Sequence, residues 1–298
     1  MIQYCMKNLS LLFIVLFATS LVAQSKIIFV PYLSNASYGS SSPADLNATN
    51  INNQKDSITG IYSLFDESHY SFEFAIESKK LSYTQQNQTH ILNQTNYIAS
   101  YKSSLKNNLK LNTLIHYIGS SFSQDNGMIA SLLGLNYLSA RKVNLGVEVA
   151  YSIYNSKKSA PKVLQIKPYL SYPYGRKDSA WGMIFPKISF YYIKPTSSNI
   201  PLQESYFSTE FKLIHLKNNF TSSLSYWAGK QLYALRDNGF TLYNLDNIHE
   251  SGLSLSSRYR WSQTIGIKAS YQNEYYIPLG SKQNQYMHRY LFLVDFNF

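Results

Sequence analysis

From residue 26 onward the chain alternates apolar and polar side chains with a period of two. The clearest run is Val143, Leu145, Val147, Val149, Tyr151 and Ile153, with Asn144, Gly146, Glu148, Ala150 and Ser152 between them. Tyr70, Phe72, Phe74 and Ile76 alternate with Ser71, Glu73, Ala75 and Glu77 in the same way. Successive strand residues point to opposite faces, so this pattern predicts half-buried β-strands. It predicts fourteen of them, near 26–33, 57–66, 69–85, 91–102, 107–118, 127–139, 142–154, 162–174, 180–194, 204–217, 219–232, 251–262, 264–277 and 286–298. Long connections (34–56, 119–126, 195–203, 233–250, 278–285) alternate with short ones at Glu67-Ser68, Ala140-Arg141, 217–219 and Ser262-Gln263. Ten residues rising about 3.3 Å each and tilted by about 40° span roughly 25 Å. The first strand contains Pro31; without it and one other, the count is twelve. Pro168 falls inside a predicted strand, where it cannot donate a ladder hydrogen bond. At Pro186 the apolar parity changes, from Trp181, Met183 and Phe185 to Ile188, Phe190 and Tyr192. That change predicts a β-bulge, or else two shorter strands.

The two ends of the chain narrow the class. Residues 290–298 read Tyr-Leu-Phe-Leu-Val-Asp-Phe-Asn-Phe, so Tyr290, Phe292, Val294, Phe296 and Phe298 share one face. This segment resembles the closing strand of bacterial outer-membrane β-barrel proteins, in which a terminal Phe after alternating apolar residues is the assembly signal. The resemblance implies an outer-membrane location and recognition of Phe298 by the barrel-assembly machinery. At the other end, 9–23 is almost wholly apolar and follows Lys7, as expected of a signal peptide cut after Ala23. The expected fold is all-β: a signal peptide (1–23), then one antiparallel transmembrane β-barrel (24–298) with long extracellular loops and short periplasmic turns.

Composition agrees with that class. No segment reaches 18 consecutive apolar residues, which excludes helical membrane spans. A mean hydropathy of −0.23 suits a barrel, because only alternate residues face lipid. The 27 tyrosines suit aromatic girdles better than a secreted β-sandwich, which is the alternative. The single cysteine, Cys5, lies in the signal, so no disulfide or thiolate chemistry is expected. The formal charge is +11. Such a surface suits outer-membrane lipid, lipopolysaccharide phosphates or anionic solutes. The basic residues are dispersed and no nucleic-acid motif occurs, so nucleic acid is not an expected partner. No P-loop, dinucleotide-binding glycine pattern or metal-ligand spacing is present, and no cofactor or metal is expected.

The interleaved positions should face the lumen. They include the cations Lys110, Lys167, Lys212, Arg258, Arg260, Lys268 and Arg289, which are candidates for lining a pore. Inward acids such as Glu73, Glu148, Glu210 and Asp295 can pair with them, Asp295 with Arg260 or Lys268. Inward cations bias a narrow passage toward anions. The leading expectation is therefore a narrow porin or diffusion channel with modest anion preference. A second is a lipid hydrolase: His249 and Ser251, two apart on a strand, would face lipid together with Leu253, and the His would activate the Ser. This His-x-Ser spacing is similar to that of outer-membrane phospholipase A and the lipid A 3-O-deacylases, although Gly252 stands where those families have Asn. A third is a structural or interaction barrel, such as a secretion accessory or surface-binding protein, acting through loops 34–56 and 233–250.

Overall fold

The computed structural model describes residues 26–40, 51–67, 69–85, 88–106, 108–120, 127–139, 143–154, 161–176, 178–196, 204–239, 241–242, 247–278 and 284–298. The expected signal peptide and Cys5 lie outside these residues. The period-two alternation becomes fourteen barrel strands. They are β1 (Lys26–Ser40), β2 (Ile51–Asp66), β3 (Tyr70–Gln85), β4 (Gln88–Lys106), β5 (Leu109–Ser120), β6 (Met128–Leu138) and β7 (Asn144–Ile153), followed by β8 (Lys162–Ser171), β9 (Met183–Thr196), β10 (Tyr206–Lys217), β11 (Phe220–Gln231), β12 (Asn247–Arg260), β13 (Ile265–Pro278) and β14 (Gln285–Asn297). Each pairs antiparallel with its sequence neighbours, and β14 pairs back onto β1. Closure gives every described barrel strand a partner on both sides, which is what a sheet needs to cross hydrocarbon. The strands are unequal. β1 to β4 run 15, 16, 16 and 19 residues, whereas β6 to β8 run 11, 10 and 10.

The outer face carries an apolar band. Ile115, Leu133, Leu135, Val147, Val149, Leu224 and Leu255 are exposed at mid-strand. Tyr70, Tyr137, Tyr172, Tyr259 and Trp261 ring the end that holds both described termini, called here the turn end. Tyr97, Tyr117, Tyr151, Tyr275 and Phe207 ring the opposite, loop end. Two aromatic girdles around an apolar belt are the exterior a bilayer demands. On β14, Tyr290, Phe292 and Phe298 are exposed on the outer face, while Asp295 and Asn297 are buried inside, as the alternation requires.

Several local expectations need correction. Residues 34–40 and 51–56 are strand rather than loop. The extension is held from inside by a polar knot. Asp56 accepts from Tyr38 at 2.8 Å and pairs with Lys79 at 3.3 Å and Arg289 at 3.1 Å. A knot of charges leaves no hydropathy signal, which is why the segment reads as loop. At Pro186 no bulge forms: the β9–β10 register runs unbroken from Met183↔Leu216 to Ile193↔Tyr206. The apolar parity changes because the inward face of β9 takes up apolar side chains near the turn end, with no slip in pairing. Pro31 and Pro168 do sit within strands. On one side of each the pairing is interrupted without a change of register, between Phe29↔Phe296 and Tyr32↔Leu293 and between Ser189↔Tyr169 and Tyr192↔Ile166. The other side of each pairs through, as expected where one N–H is missing.

The apolar belt generates a direct test. Leu133 is outward, mid-strand and 51% exposed. Leu133→Arg should lower folding stability in lipid vesicles by about 2–4 kcal/mol, read by denaturant titration. A neutral outcome would mean that this face meets water.

Candidate functional site

The lumen is divided because the chain after β11 turns into it. The β11–β12 register shifts between Ala228 and Gln231. Gly229 there has a φ of +106°, and a Cβ at that position would lie 2.5 Å from the Phe207 carbonyl oxygen. Glycine is the residue that tolerates both conditions. Beyond it Gln231, Leu232, Tyr233, Ala234, Leu235 and Arg236 are all buried. Leu235 pairs with Leu242 and Arg236 with Thr241, around a short 3-10 turn at Asp237–Gly239. Asp-Asn-Gly is well suited to such a turn. The segment read from sequence as an exposed loop is thus, over 232–239 and 241–242, a small hairpin inside the barrel.

Three kinds of contact hold it. Leu232, Tyr233 and Ala234 pack against Ile118, Met128, Tyr154, Val163, Tyr191, Ile193 and Tyr206 on the inner face of β5 to β10 and the adjoining loop. Leu235 packs on Leu114, Ala130, Leu132 and Ala150. Burial of a side chain of the size of Leu is worth about 1.5–3 kcal/mol. Backbone groups of the hairpin are satisfied by the wall. Gln165 Nε2 donates to the Leu235 carbonyl at 2.7 Å, and the Leu235 N–H donates to Gln165 Oε1 at 3.0 Å. The Tyr154 hydroxyl donates to the Tyr233 carbonyl at 3.1 Å, and His116 Nδ1 lies 3.1 Å from the Gly239 carbonyl oxygen. Finally, Arg236 lies between two buried carboxylates, 3.4 Å from Glu210 and 3.9 Å from Glu274. Its guanidinium rests 4.7 Å from the Trp227 ring centroid.

The wall is built to receive this guanidinium. Glu210, Trp227, Gly252 and Glu274 are cross-strand partners in one row across β10 to β13. A Cβ on Gly252 would fall 2.3 Å from Trp227 Nε1, so its absence lets the indole lie across β12. Glu210 also accepts from Tyr191 at 2.5 Å and from Ser225 at 2.8 Å. Glu274 Oε2 lies 3.0 Å from His249 Nδ1. Lys167, buried at 3% exposure, donates to Glu148 at 2.9 Å, with its ammonium 5.3 Å from the Tyr191 ring centroid. The result is a charge-alternating network across one half of the lumen.

The other half holds a cavity of about 630 Å³. Lys212, Arg258, Lys268 and Arg289 line it, whereas Lys110 and Arg260 sit exposed at the turn-end rim and Lys167 belongs to the buried network. Asp295 pairs with Arg258 at 2.5 Å, rather than with Arg260 or Lys268. Lys102 and Glu73 form a further ion pair on the cavity wall.

The expected pairing of His249 with Ser251 does not form. A bulge at Glu250 shifts the β12–β13 register between them, from His249↔Tyr276 to Ser251↔Tyr275. His249 therefore faces the lumen beside Glu274. Ser251 faces outward, beside exposed Ala228 and Tyr275. The sheet separates the base from the nucleophile it would activate. Gly252, at the position where the hydrolase families carry Asn, serves Trp227.

Sequence reasoning missed the inward hairpin, but two signals for it exist. Leu232-Tyr-Ala-Leu235 is an apolar run in a supposed loop. In β6, Met128, Ala130 and Leu132 face inward while Ile129, Leu133 and Leu135 face outward. A strand apolar on both faces must be covered on both.

No protein-family model matches this chain, and no curated protein matches it. Solved structures do resemble it. The TodX deltaS2S3 mutant monoaromatic hydrocarbon channel aligns with a TM-score of 0.56 at 8% identity, over 92% of this chain and 90% of that one. The Pseudomonas putida toluene transporter TodX gives 0.52 at 8% identity, over 92% and 88%. A Pseudomonas aeruginosa FadL homologue gives 0.52 at 9% identity, over 92% and 90%. At these identities the likeness is one of fold. Together with the girdled apolar exterior and the closed sheet, it makes this chain a fourteen-stranded β-barrel of the bacterial outer-membrane kind.

Proposed function

We propose that the protein is a narrow diffusion channel of the outer membrane, its bore set by its own inward hairpin and its wall biased toward anions. One observation carries the reading: the cavity runs beside the hairpin rather than ending on it. Its lining extends along β1 from Ile28, near the turn end, to Tyr38, near the loop end. Ten residues at about 3.3 Å each cover most of a bilayer's apolar thickness once tilt is allowed for. Barrels of this size lie between filled eight-stranded ones and open sixteen-stranded porins, so a partial plug and a narrow path suit the strand number. Channels such as TodX, which share the fold, support the reading as well.

The anion bias rests on how the cations are engaged. Arg289 is taken up by Asp56, and Arg258 by Asp295. Among the described residues, Lys212 and Lys268 form no ion pair with a carboxylate. Their fields therefore act on passing solute, in a passage narrow enough for walls to matter.

Reconstituted in a planar bilayer under a salt gradient, the refolded protein should give small discrete current steps with an anion-shifted reversal potential. Removing 233–242 should raise unit conductance severalfold; silence both before and after removal would end the channel reading. Arg236→Ala strands two buried carboxylates against the hairpin, at a cost of about 3–5 kcal/mol. It should convert steady currents into flickering ones of higher mean conductance. Charge reversal by Arg258→Glu with Lys268→Glu should move the reversal potential toward cation preference, and an unmoved potential would place the selectivity elsewhere.

A further inference from the structure

We infer that the open half of the lumen holds a binding site for an amphiphilic organic anion: an anionic head on Lys212 and Lys268, and an apolar body along the inner faces of β14, β1 and β2. This deepens the channel reading, since it names a solute class for the same cavity.

The first observation concerns the register of like charges. Arg258 and Lys268 are direct cross-strand partners on β12 and β13, and Lys187 and Lys212 are direct partners on β9 and β10. Like charges placed opposite each other destabilise a sheet. Inside a barrel, away from bulk water, the repulsion is stronger still. Part of it is relieved internally. Asp295 takes Arg258, and the Lys187 ammonium lies 3.8 Å from the Tyr169 ring centroid. Lys212 and Lys268 are left beside these neighbours on adjoining strands, and both line the cavity. Asp237, at the tip of the hairpin, lines the same space; of the other acids that line it, Glu73 is paired with Lys102, Asp295 with Arg258 and Glu274 with Arg236 and His249, and Glu77 accepts from Tyr32 and Asn96. Serine hydroxyls supplement the charge: Ser254, Ser256 and Ser270 line the cavity beside them. Ammonium groups with hydroxyl donors form a receptor for carboxylate, sulfonate or phosphate oxygens.

The second observation is what adjoins the cations. Lys268 is the cross-strand partner of Leu293. From Leu293 an inward apolar patch spreads through Leu291, Ile28, Val30 and Leu64, all lining the same cavity. A passage meant only for small inorganic ions has no need of such a surface, because inward positions of an open pore are ordinarily polar. A cavity of about 630 Å³ is the size that encloses a small organic molecule. Apolar wall and cationic wall meet at an edge, which is the shape complement of a head and a body.

The test measures binding separately from conduction. The barrel is placed in lipid nanodiscs and titrated calorimetrically with naphthalene sulfonate, with sodium sulfate and with naphthalene methanol. Naphthalene sulfonate should bind saturably, one per barrel, about tenfold or more tighter than either of the others. Lys212→Gln with Lys268→Gln should weaken it about tenfold or more, whereas Lys212→Arg with Lys268→Arg should retain it. Leu291→Ser with Leu293→Ser should weaken naphthalene sulfonate without changing sulfate. Folding of every variant is checked by the faster gel migration of an unheated barrel. The proposal is overturned if heats match those of empty nanodiscs, if sulfate binds as tightly as the sulfonate, or if the glutamine variant binds unchanged. Saturable binding by a barrel that passes no current would keep the site and remove the channel; current without saturable binding would do the reverse.

Discussion

A single guanidinium, Arg236, sets the arrangement of the lumen. Two carboxylates on the wall, Glu210 and Glu274, would be costly to bury alone. The hairpin delivers the cation that neutralises them, and Trp227 offers its ring face to the same group. The dependence runs both ways. Arg236 reaches this point only because Gly229 lets the strand turn inward and Gly252 lets the indole lie flat. The charges fix the hairpin's position, and the apolar contacts of Leu232 to Leu235 supply most of the burial that keeps it there.

This division of labour explains why the lumen has two characters. Against β5 to β9 and the loop-end half of β10, around Tyr206 and Glu210, the inner wall is apolar or internally paired, and the space is filled; Lys212, nearer the turn end of β10, faces the open side. Against β12 to β14 and β1 to β4 it is mixed, and the space is open. The same barrel is thus half a packed core and half a lined passage. The cations follow the same division: Lys167 belongs to the packed half and is spent on Glu148, while Lys212 and Lys268 belong to the open half.

The fold was legible because lipid imposes a strict rule on every outward residue. Period-two alternation, the terminal apolar face of β14 and the tyrosine content all follow from that rule, and all are legible in the residues alone. The interior obeys no such rule. An inward side chain can meet water, a partner strand or a plug, and nothing in the alternation distinguishes them. Hence Lys110 and Lys167 look equivalent in sequence yet lie at an exposed rim and in a buried pair. The register shift at Glu250 was equally hidden: one extra residue turned His249 into the lumen while Ser251 kept its outward face, and no local sequence feature announces such an insertion. The polar extension around Asp56 escaped for the complementary reason, since its stability is electrostatic and its composition is that of a loop.

The inequality of the strands shapes the mouth of the barrel. The cavity lies along the strands that rise furthest, β1 to β4, and the hairpin packs on the shorter ones. At about 3.3 Å per residue, five extra residues raise one side of the rim by roughly 16 Å along the strand direction. The rim formed by the described strands is therefore oblique, tall beside the cavity and low beside the hairpin.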